Sequence, residues 1–245
     1  TFVKKALTNK KGWWNFTFPF DADGDGDLDL VAGNLGENTR LKASDNQPVR
    51  MYFFDADDNG KKEQIVTHYI QDKELTFMTL PDLQRQIPSL KKKFLFARDF
   101  AKADLKDIFA KGKLEKAVKY EVNYFSNALL INDGKGNFTT TAFSGMAQLS
   151  PYYTAQQIDA NGDNLPDILL YGNFYNSSVQ LGRYDADFGK VLINKGKGQF
   201  DVQNTTGALI GGEVRRSALI HLGKKKEQAI VLARNNGKAV VVKMR

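Results

Sequence analysis

Short apolar runs that end in glycine stand out along this chain. Residues 28–33 and 168–172 are two such runs, and short apolar runs bounded by turn residues predict buried strands. Two further runs, 130–132 and 192–194, each lead into a turn with two glycines and then a returning aromatic residue, Phe138 or Phe200. That order predicts a hairpin. The pattern therefore predicts a chain built mainly from strands, an all-β fold.

One segment breaks the strand pattern. Residues 79–82 have the composition of a helix start, and Leu83, Ile87 and Leu90 follow at helical spacing, although Pro88 interrupts the run. We expect a small helical insertion over residues 81–119. Residues 82–119 carry eleven Lys and Arg against five Asp and Glu, so this segment holds +6 of the chain's net charge of +7. The basic character of the chain is therefore local.

Three acidic segments, 21–29, 55–63 and 159–167, share one template. Each places an oxygen-bearing side chain at loop positions 1, 3, 5 and 9. Oxygen ligands packed this closely repel one another unless a cation lies between them. Ca²⁺ accepts about six to eight oxygens in a flexible shell, whereas Mg²⁺ prefers a strict octahedron. A solvated acidic turn is the alternative for a single loop, but three copies in one register favour calcium.

The loops do not follow the EF-hand pattern. An EF-hand needs a bidentate Glu at position 12 and helices on both sides, but position 12 is Ala32, Val66 or Leu170, and the flanks read as strands. The position 9 carboxylate is expected to close the cage where a buried strand begins. Position 6 is Gly26, Gly60 or Asn164, residues that tolerate a left-handed backbone.

Position 7 is expected to contribute only its backbone carbonyl, because its side chain varies among the loops. One structural Ca²⁺ ion in each loop is predicted, so up to three in the chain. The predicted ligands are Asp21, Asp23, Asp25, Asp27 and Asp29 in the first loop, Asp55, Asp57, Asn59, Lys61 and Glu63 in the second, and Asp159, Asn161, Asp163, Leu165 and Asp167 in the third.

A fourth repeat is predicted without metal ligands. The hairpin that begins after Asn132 recurs after Asn194, and the same shift places the apolar run 168–170 on 230–232. The loop positions there hold Lys224, Lys225 and Lys226 instead of acids, and His221 replaces the first ligand. The interval from the first acidic loop to the second is shorter than this repeat, and the interval from the second to the third is longer. The acidic loops therefore do not fit a single repeat length.

The acidic loop followed by a buried strand resembles the FG-GAP/VCBS repeat, a β-propeller blade with a calcium loop between two strands. The resemblance covers residues 16–38, 51–80 and 128–244. It implies a β-propeller with about four visible blades, either closed or part of a larger propeller. The implied division is propeller blades with two calcium loops over 1–80, the basic insertion over 81–119, and blades with one calcium loop and one degenerate loop over 120–245. The phenylalanine–glycine signature is missing, and Gly33-Asn34 and Gly172-Asn173 stand in its place.

The resemblance also implies a setting outside the cytoplasm. The chain has no cysteine, no signal peptide and no run of 18 apolar residues, and it starts in the middle of a strand pattern. We expect a C-terminal-type fragment of a larger bacterial secreted or surface protein, located outside the cell, on its surface or in the periplasm. Millimolar extracellular calcium suits loops of this kind.

Catalytic patterns are sparse, which favours a binding module. Neither histidine, His68 or His221, is accompanied by a catalytic motif. Asp185 and Asp187 are the carboxylates that an alternative function would use, that of a polysaccharide-active lyase or hydrolase. The favoured function is interaction with a protein or a carbohydrate, including anionic ones. No nucleic-acid module is visible. Candidate sugar-stacking rings, with amides and hydroxyls beside them, are Tyr152, Tyr153, Tyr171, Phe174, Tyr175 and Tyr184, near Asn173, Asn176, Ser177 and Ser178. Ordinary packing of these rings within the sheets is the favoured alternative.

Overall fold

The computed structural model describes residues 5–207 and 209–243. This part of the chain is mostly β, which confirms the predicted class. Its strands are β1 (Phe16–Phe20), β2 (Asp29–Gly33), β3 (Val49–Phe54), β4 (Glu63–Ile70), β5 (Lys73–Thr76), β6 (Val118–Val122), β7 (Ala128–Asn132), β8 (Phe138–Ala142), β9 (Tyr152–Ile158), β10 (Asp167–Gly172), β11 (Lys190–Asn194), β12 (Phe200–Asn204), β13 (Glu213–Leu222), β14 (Glu227–Asn235) and β15 (Val240–Lys243). Its helices are α1 (Leu80–Gln86), α2 (Leu90–Lys93), α3 (Ala97–Phe100), α4 (Leu105–Ile108) and a 3-10 turn, Gly145–Gln148.

The chain divides into two compact units, and one of them interrupts the sequence of the other. The second unit is Leu41–Tyr124, and the first comprises the residues on either side of it. Strands β2 and β7 flank the second unit in sequence yet pair directly, with Leu30 opposite Leu130 and Ala32 opposite Ala128. The first sheet is therefore β1-β2-β7-β8, and the whole of the second unit is inserted between its two middle strands.

This insertion explains the irregular spacing of the acidic loops. Asp21 and Asp159 lie on either side of the inserted unit, so the stretch of sequence between them includes all of 41–124. The second loop lies in the inserted unit and not in the same series of sheets. The predicted boundaries at 80 and 119 do not coincide with the unit boundaries. Strand β3 precedes the helices in the chain and β6 follows them, yet the two strands pair in one sheet.

The first unit contains three antiparallel sheets. The second of them has the order β12-β11-β10-β9 and the third the order β13-β14-β15. Both predicted hairpins are confirmed: Asn132 pairs with Phe138, and Asn194 pairs with Phe200. The first strand of each sheet lies beside the first strand of the next sheet, since β9 contacts both β1 and β13.

Strand β10 is buried on both faces. Ile168 and Leu170 pack into a cluster with Phe20, whereas Leu169 and Tyr171 pack against Ile230 of the third sheet. Successive side chains of a strand point to opposite faces, so a strand between two neighbouring sheets needs apolar residues at every position. The uninterrupted apolar run 168–171 is the sequence signature of this placement.

The second unit is a four-stranded sheet of order β5-β4-β3-β6 with helices packed on it. Its core joins strand residues such as Tyr52 and Ile65 to helix residues such as Leu83 and Ile87. Helix α1 starts as the sequence predicts, because the hydroxyl of its N-cap residue, Thr79, accepts the backbone N–H of the third residue of the helix. It ends just before Pro88, which cannot continue a helix.

The close approach of two strands requires glycine at position 172. A Cβ on Gly172 would lie 1.8 Å from the carbonyl oxygen of Pro151. We expect Gly172→Ala to lower the free energy of unfolding by about 3 kcal/mol, because the backbone must shift. Gly237→Ala is the matched control: its Cβ would meet Arg234 at an ordinary 3.5 Å, so a change below about 0.5 kcal/mol is expected. Urea denaturation measures both, and equal midpoints for the two variants would contradict the close-packing argument.

Candidate metal centres

The three acidic loops share one backbone conformation. In each loop, the carboxylate at position 1 accepts two backbone N–H groups from later in the same loop. The donors are Gly24 and Gly26 to Asp21, Asn59 and Gly60 to Asp55, and Gly162 and Asn164 to Asp159. The carboxylate at position 1 therefore holds the backbone of each loop in a turn around it.

Positions 5 and 7 are also tied together in every loop. The backbone N–H of position 7 donates to the side-chain oxygen of position 5 at 2.8 Å, for the pairs Asp27 and Asp25, Lys61 and Asn59, and Leu165 and Asp163. The position 7 side chain takes no part in this bond. Its identity can therefore vary without changing this bond.

Two residues of each loop adopt left-handed backbone conformations. The prediction for position 6 is confirmed, with φ of 92° at Gly26, 83° at Gly60 and 65° at Asn164. Position 4 is left-handed too, at Gly24, Asp58 and Gly162, and sequence reasoning missed it. The glycines at position 4 of the first and third loops were the available signal.

The position 9 carboxylate lies where a buried strand begins, as predicted. Asp29, Glu63 and Asp167 are the first residues of β2, β4 and β10 and are only 1%, 6% and 0% exposed. Both oxygens of Asp29 accept a backbone N–H at 2.8 Å, one from Ala22 within the loop and one from Asn132 on the neighbouring strand. These bonds fasten the loop to the sheet.

The third loop repeats this fastening with different residues. Asp167 accepts the backbone N–H groups of Ala160 and Asn194, both at 2.8 Å. Asn132 and Asn194 are thus equivalent, and sequence reasoning missed their role. The shared Leu-Ile-Asn sequence at the start of the two hairpins was the signal that could have found them.

Asn194 also connects the first and third loops. Its buried side-chain amide donates to the carbonyl oxygens of Ala22, in the first loop, at 3.1 Å and of Pro166, in the third loop, at 3.2 Å. Its backbone N–H meanwhile holds Asp167. A movement of either loop therefore acts on a residue that both loops share.

In two of the loops, three acids converge closely enough to hold a metal ion. One carboxylate oxygen each from Asp21, Asp23 and Asp29 lies within 4.8 Å of the others, and the same holds for Asp55, Asp57 and Glu63. Carboxylate oxygens are the donors that hard divalent cations prefer. These two groups therefore have the chemistry and spacing of a cation site.

The acids of the first loop repel one another. Burial raises the pKa of Asp23, and the charges of Asp25, Asp29 and Asp21 raise it further, against a backbone N–H from Asp25 that lowers it. A cation among these oxygens would reverse the effect of the neighbouring charges. Asp25 and Asp27 lie outside the converging triad.

The third loop has an amide where the other loops have an acid. Asn161 occupies position 3, and its side-chain N–H donates to Asp163 at 2.7 Å. Two hydrogen bonds, first from the backbone N–H of Leu165 and then from Asn161, lower the pKa of Asp163. In the residues described, this loop therefore has the shared backbone but not the three converging acids.

A lysine supports the second loop. The Lys113 ammonium donates to the backbone carbonyl of Asp55 at 2.8 Å and to the Asp58 carboxylate at 2.5 Å. One charge of the basic segment thus neutralises an acid of this loop. We expect the second loop to attract a cation less strongly than the first, because Asn59 replaces an acid in its ligand set and the Lys113 ammonium lowers the negative charge beside it.

The fourth repeat keeps its strand, as predicted. The run 230–232 lies in β14, with Ile230 and Leu232 fully buried. A tight turn, in which Gly223 and Lys226 have positive φ, joins β13 to β14 directly. The lysines lie in this turn, and the acidic loop is absent here.

The two candidate catalytic carboxylates have structural partners. Asp187 is 1% exposed and accepts the backbone N–H groups of Gly172 and Gly189, with the buried Lys190 ammonium 3.5 Å away. Burial raises the pKa of Asp187, and Lys190 opposes the effect. Asp185 is exposed and pairs with Arg183 at 3.4 Å. His68 lies in β4 and packs edge-on against a phenylalanine ring.

Half of the candidate sugar-stacking rings belong to the core, as the packing alternative predicts. Tyr152, Tyr171 and Tyr184 are buried, and so is the neighbouring Asn173. Arginine side chains stack on other rings of the set: Arg215 on Tyr153 at 4.2 Å and on Phe174 at 5.4 Å, and Arg183 on Tyr175 at 3.6 Å. The alternation of faces along β9 and β10 is the physical reason, since it points Tyr152 and Tyr171 into the sheet interfaces.

No helix in the described part of the chain combines the length and apolarity needed to cross a membrane. Comparisons with models of known protein families, with curated proteins and with solved structures found nothing that matches this chain.

The two roles of the loop acids can be separated by substitution. Asp29→Asn removes one of two oxygens that each accept a backbone N–H, so we expect it to lower the free energy of unfolding by about 2 kcal/mol even in a chelator. Asp23→Asn keeps an oxygen for the one N–H it accepts, and in a chelator we expect a change within about 0.5 kcal/mol. Denaturation in excess EDTA measures both. Equal effects of the two substitutions would contradict the assignment.

Proposed function

We propose that this chain is a calcium-stabilised interaction module of the FG-GAP/VCBS β-propeller type. The observation that carries the proposal is the repeated loop. In three segments of different sequence, the backbone N–H of position 6 donates to the carboxylate of position 1, and each segment ends on a buried carboxylate at the start of a strand. An isolated acidic turn has no reason to repeat this geometry.

Calcium suits these loops better than magnesium. The side chains at positions 1, 3, 5 and 9 and the carbonyl at position 7 offer more oxygens than a magnesium ion takes from protein, because Mg²⁺ retains several waters. Loop positions 4 and 6 are left-handed, which turns the backbone around a centre. The ion would neutralise the carboxylates of the triad, and its role would be structural.

The topology of the first unit supports a propeller. Its sheets are antiparallel, and their first strands lie side by side in the order β1, β9, β13. The inner strands of successive propeller blades would be arranged in this way. In this proposal, sheets one to three are blades, and the unit 41–124 is an insertion within the first of them. A closed ring of sheets is not a feature of the described residues.

The proposed setting is the bacterial surface, the periplasm or the extracellular medium. Extracellular modules bind calcium with dissociation constants of about 10⁻⁴ to 10⁻³ M, and these loops would be filled there. The absence of cysteine from the sequence agrees with stabilisation by metal in place of disulfides. The partner would be a protein or a carbohydrate, bound without turnover, since Asp185 and Asp187 are engaged in the ion pairs and hydrogen bonds described above.

Chelation tests the proposal directly. A ligand that binds only the folded state stabilises it by mass action, so we expect the Tm in excess EDTA to be lower by about 5 °C or more than the Tm in about 2 mM Ca²⁺. Readdition of Ca²⁺ should restore the Tm, and equimolar Mg²⁺ should restore less. Differential scanning calorimetry measures these shifts.

The matched variants assign the effect to the loops. The double variant Asp23→Asn, Asp57→Asn should lose most of the response to calcium, whereas Asp201→Asn, an exposed acid on β12, should retain it. An unchanged Tm after exhaustive chelation would refute the calcium part of the proposal.

A further inference from the structure

A polar cleft lies in the first unit, away from the acidic loops. The segment after β10 supplies Tyr175, Asn176 and Arg183, the start of β13 supplies Glu213, and the end of β14 with its following turn supplies Arg234 and Asn236. The volume of the cleft is about 360 Å³, within the range of small-molecule sites, which is about 300–1,000 Å³. The sequence-predicted sugar platform contributes Tyr175 and Asn176 to it.

Arg234 presents a fixed guanidinium without an acidic partner. Its Nε donates to the carbonyl oxygen of Lys238 at 2.8 Å and its Nη1 to that of Gly211 at 3.0 Å. Among the residues described, no carboxylate forms an ion pair with it. A Cβ on Gly212, where φ is 111°, would lie 3.0 Å from the Arg234 side chain. The backbone thus makes room for this arginine and holds it in place with donors to spare.

A second guanidinium is held by stacking. Arg183 lies over the Tyr175 ring, 3.6 Å from its centroid, and its Nε is 3.4 Å from Asp185. Stacking fixes the plane of the guanidinium and leaves the in-plane N–H groups able to donate. Arg183 side-chain exposure of 56% shows that solvent reaches it.

Glu213 is part of the framework of the cleft. It is 2% exposed and accepts three hydrogen bonds of 2.8 Å, from the backbone N–H of Tyr175, from Arg215 and from the side-chain amide of Asn235. Its charge is balanced by Arg215 in the same way that Asp185 balances Arg183. The charge of Arg234 is left uncompensated, so the cleft as a whole has one net positive charge.

We propose that this cleft binds a saccharide that carries a carboxylate, such as a uronic acid unit. A single uncompensated arginine suits one carboxylate group, and a guanidinium pairs with a planar carboxylate through two parallel hydrogen bonds. A phosphate monoester carries nearly two charges on one group at neutral pH and would leave one unmatched inside the cleft, whereas the carboxylates of an oligouronide lie on separate sugar units with one charge each. The exposed amides of Asn176 and Asn236 can pair with sugar hydroxyls. This inference rests on the proposed function as an interaction module and names its ligand class.

Titration calorimetry of the full chain in Ca²⁺ tests the inference with digalacturonate as the probe. We expect saturable binding of digalacturonate, and weaker binding by at least about tenfold for its dimethyl ester, which lacks the charge. Arg234→Gln and Arg183→Gln should each cost about tenfold or more. Arg98→Gln, a substitution of an exposed arginine in the second unit, should leave the affinity unchanged.

Each outcome of this experiment decides something. Equal binding of acid and ester, or full affinity in both cleft variants, would overturn the inference. An acetylated dipeptide with a free carboxylate that binds as tightly as digalacturonate would overturn the saccharide part, and tighter binding of glucose 6-phosphate would overturn the choice of carboxylate. Uronates also bind Ca²⁺, but the arginine variants keep every loop acid and so distinguish the cleft from bridging through a loop ion.

The calcium proposal is tested separately from the cleft. A chelation-sensitive Tm without digalacturonate binding would refute the cleft alone. Binding of digalacturonate by a chain whose Tm does not respond to EDTA would refute the calcium proposal alone. The ester comparison uses only the unsubstituted chain, so it holds even if Arg234→Gln fails to fold.

Discussion

Two buried carboxylates with two backbone donors each hold the acidic loops to the sheets of the first unit. A buried charge is costly unless it is hydrogen-bonded, and Asp29 and Asp167 meet this condition by accepting one N–H from the loop and one from the adjacent strand. The strand that donates is the one that begins the following hairpin. The position 9 carboxylate therefore connects the loop, the buried strand and the hairpin through hydrogen bonds. A cation bound in the loop would strengthen contacts that already exist.

The local features of the loops could be predicted from the sequence, because spacing alone determines them. The left-handed residue at position 6, the strand starting at position 9 and the two hairpins all depend on residues within about ten positions of one another. The pairing of β2 with β7 could not be predicted in this way, since the whole second unit lies between the paired strands in the chain. The uneven spacing of the acidic segments and the basic helical segment 81–119 were both traces of this insertion, but neither says which strands pair.

The cleft was harder to predict than the loops for a related reason. Tyr175 and Asn176 belong to a segment that the sequence marked as a binding surface, but Arg234 comes from a strand much later in the chain. Nothing in the local pattern of β14 distinguishes an arginine pinned by two carbonyls from an ordinary exposed one. The sequence left the tyrosines open between core packing and a sugar platform, because an aromatic residue in a strand between two sheets looks the same in sequence as one at a surface; Tyr152, Tyr171 and Tyr184 are core residues.

The two ends of β10 connect the third acidic loop to the cleft. Asp167, the ninth position of the third acidic loop, begins this strand, and the segment that carries Tyr175 follows its end. A strand of this length spans about 20 Å, so the loop and the cleft share a rigid element but no direct contact through it. The cleft also uses β13 and β14, the hairpin whose turn has lysines in place of ligands. In these proposals an ion in the third loop would act on the cleft only through the stability of β10 and not by coordinating the ligand.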